Sequence, residues 1–592
     1  MDLVSLTRKH SIAFFILLAL IPSGAANSYG AFPENDTATH RTAEQRIYWR
    51  DSHATQAANY HSYQHVKILA INDFHGHLSS GRIVGQRHAG GAAVLASYLK
   101  SAERGIEDST LIVLAGDHVG ASPPVSALLK DEPAIMFMNI LANKHCTHSD
   151  IMDPDCNIAA TVGNHEFDKG VPEMRRLIFG GNHADGPFLE TPWHGAVYPY
   201  VVSNVTDSKT GRLILPPYVI KKVHGIPIAF IGAVLKDTPN IVTAFATEGL
   251  SFLDEADSIN KYARELRAMH VKSVIALIHQ GGRQKAYSGA TMRGEAVTGP
   301  IADIVSRLDD GVDVVISGHS HAFTNAFLHN RHGKKVLVTQ AFSYGTAFAD
   351  IDLDIDRSTW KIVGKSAAII TTYADAGPGL APDPEVSMLA ASAESKLAPL
   401  INQVIGHAST DISGDQNSAG ESALGNLIAD AQRAALPADF AFTNPGGIRD
   451  RVHAGDVTWG TLYAVQPFNN YLVRINMTGR QIYDLLNQQW QANLPHPRML
   501  QISGLTYTWD STLPSGKRIV EVRRNNAPIS PASVYTVVVN SFLAGGGDSF
   551  KALTHGTNAT GGTSDLDALI AYIRKLPQPF SAKTEGRITK GR

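Results

Sequence analysis

The sequence is short of three things: cysteine, a surplus of basic residues and long hydrophobic runs. Among its 592 residues only Cys146 and Cys156 are cysteines, which excludes a framework of several disulfides. Lysine and arginine together number 52, against 54 aspartates and glutamates, for a formal net charge of −2. This balance disfavours duplex nucleic-acid binding as the main function, because duplex binding relies on basic surfaces that neutralise phosphates. Apart from one short stretch near the start, no segment approaches the length of about 20 apolar residues that a membrane-spanning helix needs.

The rest of the composition is that of a globular protein. Hydrophobic residues make up 44% and charged residues 18% of the chain. These proportions exclude wholesale disorder, collagen-like repeats and coiled coil. At roughly 150 residues per domain, the length predicts more than one domain. Histidine occurs 25 times, which directs attention to metal and proton chemistry.

Residues 1–26 have the pattern of a secretory signal peptide. A basic start precedes an apolar run at residues 12–21, and small residues follow up to Ala26. A membrane anchor is the alternative, but a run of ten residues is too short to span a bilayer. We therefore expect cleavage near Ala26 and a periplasmic or secreted protein.

The two cysteines are separated by nine residues in a polar loop. In an oxidising compartment an even pair at this distance favours one local disulfide between Cys146 and Cys156. Two free thiols are the alternative. A zinc site built on these cysteines is disfavoured, because the CxxC spacing is missing.

The chain beyond the signal peptide divides into four regions. Residues 27–62 are polar and turn-rich and are predicted to form an exposed arm. Residues 63–370 alternate short apolar strands with amphipathic helices, which is typical of a layered α/β domain. Residues 371–405 are predicted to be a linker with a helix over 385–404, and residues 406–592 a second, smaller domain.

The predicted elements follow from the apolar patterns. In the second domain we expect helices at 423–435 and 479–491 and a strand at 534–539. In the first domain we expect strands at 66–71, 111–114, 158–162, 227–231, 273–278 and 312–316.

Polar clusters follow the strands of the first domain where each strand ends. Ligands of open α/β sheets gather at the carboxyl ends of strands, so these clusters are expected to converge. Imidazole, carboxylate and amide groups suit two divalent ions, which would generate hydroxide near neutral pH and hold phosphoryl oxygens. The clusters are Asp73 and His75; Asp117; Asn164, His165 and Asp168; His279; and His319 and His321.

These motifs resemble those of a known family. The order D-x-H, GD, GNHE-x-D, H and GHSH is that of the calcineurin-like metallophosphoesterases. With ESALGNLIADA at 421–431, NPGGIR at 444–449, QPFNN at 466–470 and NSFLAGGGDSF at 540–550, the chain resembles the secreted bacterial 5′-nucleotidase / UDP-sugar hydrolase family. The resemblance covers residues 66–550. It implies a four-layer α/β metallophosphoesterase sandwich, a linker helix and a smaller α/β (α+β) substrate-binding domain.

The resemblance also implies roles for the clustered residues. Two divalent ions (Zn, Mn, Co or Mg) would be the cofactors, with Asp117 bridging them. His165 with Asp168 would form a catalytic dyad that stabilises charge on the phosphoryl group or leaving oxygen; the alternative for His165 is a hydrogen-bonding role behind the ligands. Asp73, His75, Asp117 and His321 would hold the first ion, and Asn164, His279 and His319 would complete the second.

Six residues of the second domain would bind substrate by the same resemblance. Phe468 and Phe542 look like an aromatic pair that sandwiches a nucleobase, although two phenylalanines are more often core residues. The others are Asn444 and Asp548 for ribose, Arg449 near ribose or phosphate, and Gly447 for close backbone approach. One departure concerns residues 417–420, Asn-Ser-Ala-Gly, because many relatives carry an arginine there.

We therefore expect metal-dependent hydrolysis of nucleoside 5′-monophosphates, with a small-molecule partner and neither duplex nucleic acid nor a membrane span. UDP-sugars or 2′,3′-cyclic nucleotides are alternative substrates for the same site. A secreted nucleotide-binding or surface-interaction protein without catalysis is a further alternative, but it predicts a damaged ligand set, whereas every expected position is occupied. A secreted nuclease predicts a basic groove, which the charge balance does not support.

Overall fold

The computed structural model describes residues 62–285, 289–291, 297–491 and 496–591. The predicted signal peptide, and the polar arm up to residue 61, lie outside the described residues. The unit that begins at Ser62 contains both predicted domains.

The first domain contains a sheet of seven strands. Its inner strands are continuous apolar runs buried on both faces, as in Thr110–Ala115, which is typical of parallel sheets. In spatial order the strands are Gly289–Ala290, Ile362–Thr371, Ala347–Asp356, Tyr63–Ile71, Thr110–Ala115, Ile158–Thr161 and Tyr200–Val201. The last four are parallel, and the first three join them antiparallel.

A second sheet of six strands belongs to the same domain. Its four inner strands are parallel, and an antiparallel strand closes each edge. In spatial order the strands are Phe323–His329, Lys335–Ala341, Val312–Ser317, Ser273–His279, Ile226–Val234 and Tyr218–Val223.

The two sheets pack face to face. Val113 of the first sheet shares a buried core with Phe230 and Ile316 of the second. Further cores lie between each sheet and the helices on its outer side. The order helix, sheet, sheet, helix confirms the predicted four-layer sandwich, and all six predicted strands are present with ends shifted by a few residues. The covering helices are Ala92–Glu103, Glu132–Leu141 and Val171–Phe179 on one side and Glu255–Ala268 and Pro300–Arg307 on the other.

The predicted linker helix spans Pro384–Ile401. The Asp383 side chain caps it by accepting a hydrogen bond from the backbone N–H of Val386 at 3.0 Å. Its apolar side packs on the first domain through Val386 and Leu389. The predicted end at residue 404 was wrong, because Val404–Ala408 instead forms a strand paired with Gly455–Thr458.

The second domain is built on a mixed sheet of five strands, which confirms the smaller α/β (α+β) domain. The helix Ala423–Ala435 has the predicted bounds. The helix Gly479–Asn487 ends before the predicted residue 491; beyond its end the Gln489 side chain donates to the carbonyl of Leu486 at 2.8 Å and accepts from the backbone N–H of Leu500 at 2.6 Å. The strands are, in spatial order, Gln501–Ser503, Phe440–Thr443, Val534–Asn540, Tyr471–Thr478 and Thr557–Ser564.

Smaller elements complete the second domain. A four-stranded sheet lies beside the main one, with strands Ala527–Pro528, Ile519–Arg524, Thr506–Trp509 and Ile588–Lys590. Further helices are Trp459–Val465, Ser541–Ala544 and Asp565–Ile573. Within the described part of the chain, no helix combines the length and apolar character needed to cross a membrane.

The predicted disulfide is confirmed. Cys146 and Cys156 are joined with an S–S distance of 2.12 Å. Next to this loop, Lys221 is fully buried, and its ammonium group donates to the carbonyl of Asp153 at 3.0 Å. Burial lowers the pKa of Lys221 to about 7, although nearby aspartates oppose the shift.

Replacing Lys221 by methionine should change how stability depends on pH. Between pH 7 and 9 the unfolded wild-type chain keeps the Lys221 proton, with a pKa of about 10.4, whereas the native state loses it. Through this residue, the free energy of unfolding of the wild-type protein therefore increases as the pH rises, whereas the variant lacks this increase. We expect the excess stability of Lys221→Met over wild type to shrink by up to about 1.4 kcal/mol per pH unit in denaturant titrations. Lys222→Met, at the exposed neighbouring position, should show no such trend; a parallel trend there would contradict the assignment.

Candidate functional site

The seven predicted metal ligands lie together at one end of the two central sheets. Each follows or ends a parallel strand at its carboxyl end, where the pattern placed it. Asp73 and His75 follow Tyr63–Ile71, Asp117 follows Thr110–Ala115, Asn164 follows Ile158–Thr161, His279 ends Ser273–His279, and His319 and His321 follow Val312–Ser317.

The loops that carry these ligands have unusual backbone conformations. Left-handed φ angles cost a non-glycine residue on the order of 1–3 kcal/mol and cluster at active sites. Such strain persists only where the surrounding structure enforces it. Positive φ angles occur at Asp73 (50°), His75 (49°), Asp117 (50°), His319 (72°) and His321 (52°).

Asp117 lies between two groups of ligands. Its Oδ2 atom is 3.1 Å from His279 Nε2 and 3.7 Å from His75 Nε2. Asp73, His75 and His321 offer ligand atoms that all lie within 4.8 Å of one another, and so do Asp117, His279 and His319. The Asp117 carboxylate therefore lies where one of its oxygens could coordinate two ions.

The hydrogen bonds of two histidines test whether cations fit this cluster. His279 Nδ1 lies 2.8 Å from the carbonyl of Ala115, and His75 Nδ1 lies 2.8 Å from the carbonyl of Gly120. A carbonyl only accepts, so both Nδ1 atoms carry a proton, and Nε2 is in each case the nitrogen that faces Asp117 and could bind a cation. Burial would lower the pKa of His279, but the Asp117 carboxylate, 3.1 Å from Nε2, outweighs it and raises the pKa to about 10, so a cation bound here would replace the proton on Nε2. Imidazole nitrogens held toward a carboxylate by hydrogen bonds on Nδ1 are a ligand set that suits divalent cations, so these residues fit a metal centre.

His165 and Asp168 form the predicted pair. His165 Nδ1 is 2.7 Å from Asp168 Oδ2, and the backbone N–H of His165 donates to Asp117 Oδ1 at 2.8 Å. Burial would lower the pKa of His165, but the carboxylates of Asp168 and Asp117 outweigh it and raise the pKa. His165 also lies within ligand distance of His75 and Asp117, so its position borders the metal cluster.

One cavity of 460 Å³ joins this cluster to the second domain. Asn164, His165 and His319 line it from the first domain. The ring of Phe468 stacks near His165 with centroids 5.8 Å apart. All six predicted substrate residues line the same cavity: Asn444, Gly447, Arg449, Phe468, Phe542 and Asp548.

The substrate residues of the second domain support one another. Asn444 Nδ2 donates to Asp548 Oδ2 at 2.8 Å. The ring of Phe542 packs on Gly547, where a Cβ would come within 2.5 Å of it. The Arg449 guanidinium lies 5.8 Å from the centre of the Phe468 ring. Close packing of glycine on an aromatic ring explains part of the glycine-rich sequence here.

A chain of contacts that the sequence did not reveal links the metal cluster to the second domain. The ring of Tyr344 lies 5.2 Å from that of His321, and the guanidinium of Arg82 stacks 4.4 Å from the Tyr344 ring centre. Arg82 Nη1 then reaches Asp450 Oδ1 at 3.2 Å, next to Arg449. No local sequence pattern signals this link, since its members are far apart in the chain.

Glu166 also escaped the sequence analysis, although it stands inside the GNHE motif. Its carboxylate is buried and accepts backbone N–H groups from Asp117 at 3.0 Å, His118 at 2.8 Å and Gly163 at 2.5 Å. Burial raises the pKa of Glu166 to about 7, against the effect of these donors. Glu166 therefore ties together the loops that carry Asp117 and Asn164.

Comparisons with known proteins agree with this architecture. The model of the calcineurin-like phosphoesterase family matches residues 66–323, and that of the 5′-nucleotidase C-terminal domain matches residues 404–555. The chain is 34% identical over 563 residues to "Endonuclease YhcR" of Bacillus subtilis, which covers 92% of this chain but 43% of that protein. It is 34% identical over 564 residues to "Cell wall protein Lmo0130" of Listeria monocytogenes, covering 88% and 69% respectively. The solved 5′-nucleotidase precursor from Thermus thermophilus superposes with a TM-score of 0.73 at 27% identity, covering 89% of this chain and 99% of that one.

Replacing Glu166 by glutamine should loosen the metal centre. An amide would turn an N–H group toward backbone N–H donors, so at least one of the three hydrogen bonds would be lost. We expect metal affinity and turnover to fall about 10- to 100-fold, measured by metal titration and phosphate release. The control is Glu107→Gln, because Glu107 also accepts a backbone N–H, from Gly105 at 2.9 Å, but on the surface. Unchanged metal affinity in the Glu166 variant would show that it does not hold the loops.

Proposed function

This chain belongs to the family of calcineurin-like phosphoesterases that carry a 5′-nucleotidase C-terminal domain, and from this premise we propose that it hydrolyses nucleoside 5′-monophosphates to nucleoside and phosphate. Phosphoester hydrolysis with divalent metal ions is the chemistry of the family. The nucleotide as substrate is our inference from the cavity.

The cavity between the two domains carries the proposal. Asn164, His165 and His319 line it beside the metal cluster, and Phe468 and Phe542 line it from the second domain, with the Phe468 ring next to His165. A ligand that fills both regions needs an anionic group that suits cations and a flat apolar group that stacks on aromatic rings. A nucleoside monophosphate has both.

We assign the residues as follows. When bound, the two divalent ions would supply a nucleophile near neutral pH and neutralise the phosphoryl oxygens. Asp117 and the other six ligands would hold those ions. His165, kept cationic and oriented by Asp168, would stabilise charge on the phosphoryl group or the leaving oxygen. Phe468 and Phe542 would clamp the base, and Asn444, Asp548, Gly447 and Arg449 would surround the sugar and phosphate.

A nuclease activity is the second candidate. It is favoured by the 34% identity to the Bacillus subtilis relative named an endonuclease. The formal net charge of −2 argues against it, because a long polyanion needs basic surface. UDP-sugars and 2′,3′-cyclic nucleotides would use the same site.

We also propose the domain limits and location. The limits predicted from the sequence are 63–370 for the phosphoesterase domain, 371–405 for the linker and 406–592 for the substrate domain; the strand Val404–Ala408, which pairs with Gly455–Thr458, moves the start of the substrate domain to residue 404. Export directed by residues 1–26 is supported by the name of the Listeria monocytogenes relative, a cell wall protein.

The experiment that tests the proposal is a substrate panel. Phosphate or fragment release is measured with mononucleotides, dinucleotides, UDP-sugars, cyclic nucleotides and single-stranded oligonucleotides, before and after chelation and with Zn²⁺, Mn²⁺, Co²⁺ or Mg²⁺ added back. We expect mononucleotides to be cleaved with the highest kcat/KM and chelation to abolish activity reversibly. Internal cleavage of oligonucleotides as the fastest reaction would favour the nuclease instead.

Replacing Asp117 by asparagine should disable the centre. A neutral amide offsets the mutual repulsion of two cations poorly, so at least one ion should be lost. We expect turnover to fall more than about 100-fold together with metal content, measured by elemental analysis. The matched control is Asp108→Asn, because Asp108 is exposed and lies just before the strand Thr110–Ala115 that leads to Asp117. Normal turnover with full metal content would exclude Asp117 as the bridging ligand.

Removing both rings of the clamp should affect nucleotides selectively. Base–aromatic stacking contributes about 1–3 kcal/mol per base, so Phe468→Ala with Phe542→Ala should lower kcat/KM for mononucleotides about 10- to 100-fold or more. Hydrolysis of a small aryl phosphate should persist, and the double tyrosine variant, which keeps both rings, should retain most nucleotide activity. Equal losses for both substrates would identify the phenylalanines as core residues.

A further inference from the structure

The carboxylate of Asp548 is held from several directions. Asp548 is buried and has a left-handed backbone, with φ 55°. Its Oδ2 accepts from Asn444 Nδ2 at 2.8 Å, and its backbone carbonyl accepts from Gln491 Nε2 at 2.7 Å. The remaining oxygen, Oδ1, lies 3.3 Å from Nη1 of Arg498. The side chain is therefore fixed in one orientation before any ligand arrives.

Arg498 belongs to a segment of the second domain that packs against the residues before the helix Ala423–Ala435. Met499, its neighbour, lies against Gly420, where a Cβ would come within 2.6 Å of the methionine side chain. Gln416 Nε2 donates to the carbonyl of Met499 at 3.0 Å, and Gln501 Nε2 donates to the carbonyl of Gly420 at 2.8 Å. These contacts hold Met499, the neighbour of Arg498, against Gly420, and residues 417–420 themselves contain no cationic side chain.

Arg498 is also part of the cavity wall. Of the described residues that the second domain contributes to that wall, two are cations, Arg449 and Arg498. A guanidinium has five N–H donors in a fixed fork, so pairing one nitrogen with Asp548 leaves donors for a ligand. The pair thus presents an acceptor, the carboxylate, beside a donor, the guanidinium.

A hydroxyl group is the ligand that matches such a pair, because it donates one hydrogen bond and accepts others. We propose that Arg498 is a specificity-determining residue that, with Asp548, recognises the vicinal 2′- and 3′-hydroxyls of a ribose. This inference rests on the proposed nucleotidase function and narrows its substrate class to ribonucleotides over deoxyribonucleotides. Sites built to hydrogen-bond a hydroxyl reject analogues that lack it, because their buried polar groups are then left unpaired.

The test compares sugars and variants. kcat and KM are measured for one ribonucleoside 5′-monophosphate, its 2′-deoxy and 2′,3′-dideoxy counterparts and an aryl phosphate. The proteins are wild type, Arg498→Ala, Arg498→Lys and the control Arg523→Ala, whose ion pair with Glu521 at 2.7 Å lies on the surface of the same domain. Inhibition by the free ribonucleoside and by its 2′,3′-dideoxy form gives a binding readout that is independent of turnover, and thermal unfolding reports on the fold.

We expect Arg498→Ala to raise KM for the ribonucleotide about ten- to a hundredfold, with little change in kcat. The dideoxy nucleotide and the aryl phosphate should change less than about twofold. The lysine variant, with a single charged donor group, should recover part of the loss. Inhibition by the ribonucleoside should weaken in parallel, and the Arg523 variant should behave as wild type.

Two other outcomes are distinguishable. In the first, wild type cleaves mononucleotides, but Arg498→Ala changes the kinetics of the ribonucleotide and the dideoxynucleotide equally or changes neither. Arg498 is then a structural residue, and only the inference on the sugar fails. If wild type cleaves the aryl phosphate but no mononucleotide, the proposed function fails and the inference fails with it.

Discussion

The rest of this structure depends on one electrostatic constraint, the crowding of acceptors around Asp117. Carboxylate oxygens and imidazole lone pairs from five strand ends are buried within a few ångströms of one another, with Asp117 Oδ2 only 3.1 Å from His279 Nε2. Without cations such a cluster is costly, because burying several ionisable groups together is unfavourable even where an imidazole and a carboxylate share a proton. The fold maintains it through left-handed loops and through Glu166, which takes three backbone donors from those loops. Metal binding and loop conformation are therefore one coupled equilibrium.

The second domain adds to this centre what the first domain lacks. Phe468 and Phe542 contribute the aromatic surface on which the proposed base would stack, while Arg82 of the first domain forms an ion pair with Asp450 of the second, next to Arg449. Binding energy gained on the base, far from the reacting bond, can then serve to orient the phosphate. This division explains why the site is assembled from both ends of a long chain.

Much of this arrangement was predictable from the sequence, for identifiable reasons. Strand ends in a layered α/β domain meet at one edge, so apolar runs followed by Asp, His or Asn sufficed to locate Asp73, Asp117 and His279. The predicted end of the helix that begins at Gly479 was less accurate, because the residues after Asn487 bond to a distant part of the chain, as Gln489 does to the backbone N–H of Leu500. Arg498 and Tyr344 were missed because their neighbours in space are distant in the chain, and no local period or motif marks a contact that tertiary packing creates.

The metal cluster and the surroundings of Asp548 differ in hydrogen-bonding character, and in the proposed function this difference would set the direction in which a nucleotide binds. The metal cluster is an assembly of acceptors that suits cations and, through them, a phosphate. Around Asp548 donors and acceptors alternate, since Asn444 and Arg498 flank its carboxylate at 2.8 and 3.3 Å. A phosphate placed there would meet the Asp548 carboxylate, whereas a base placed among the metal ligands would leave their lone pairs unmatched. Under the proposed function a nucleotide would therefore satisfy both regions in one orientation only, with its phosphate at Asp117 and its sugar at Asp548.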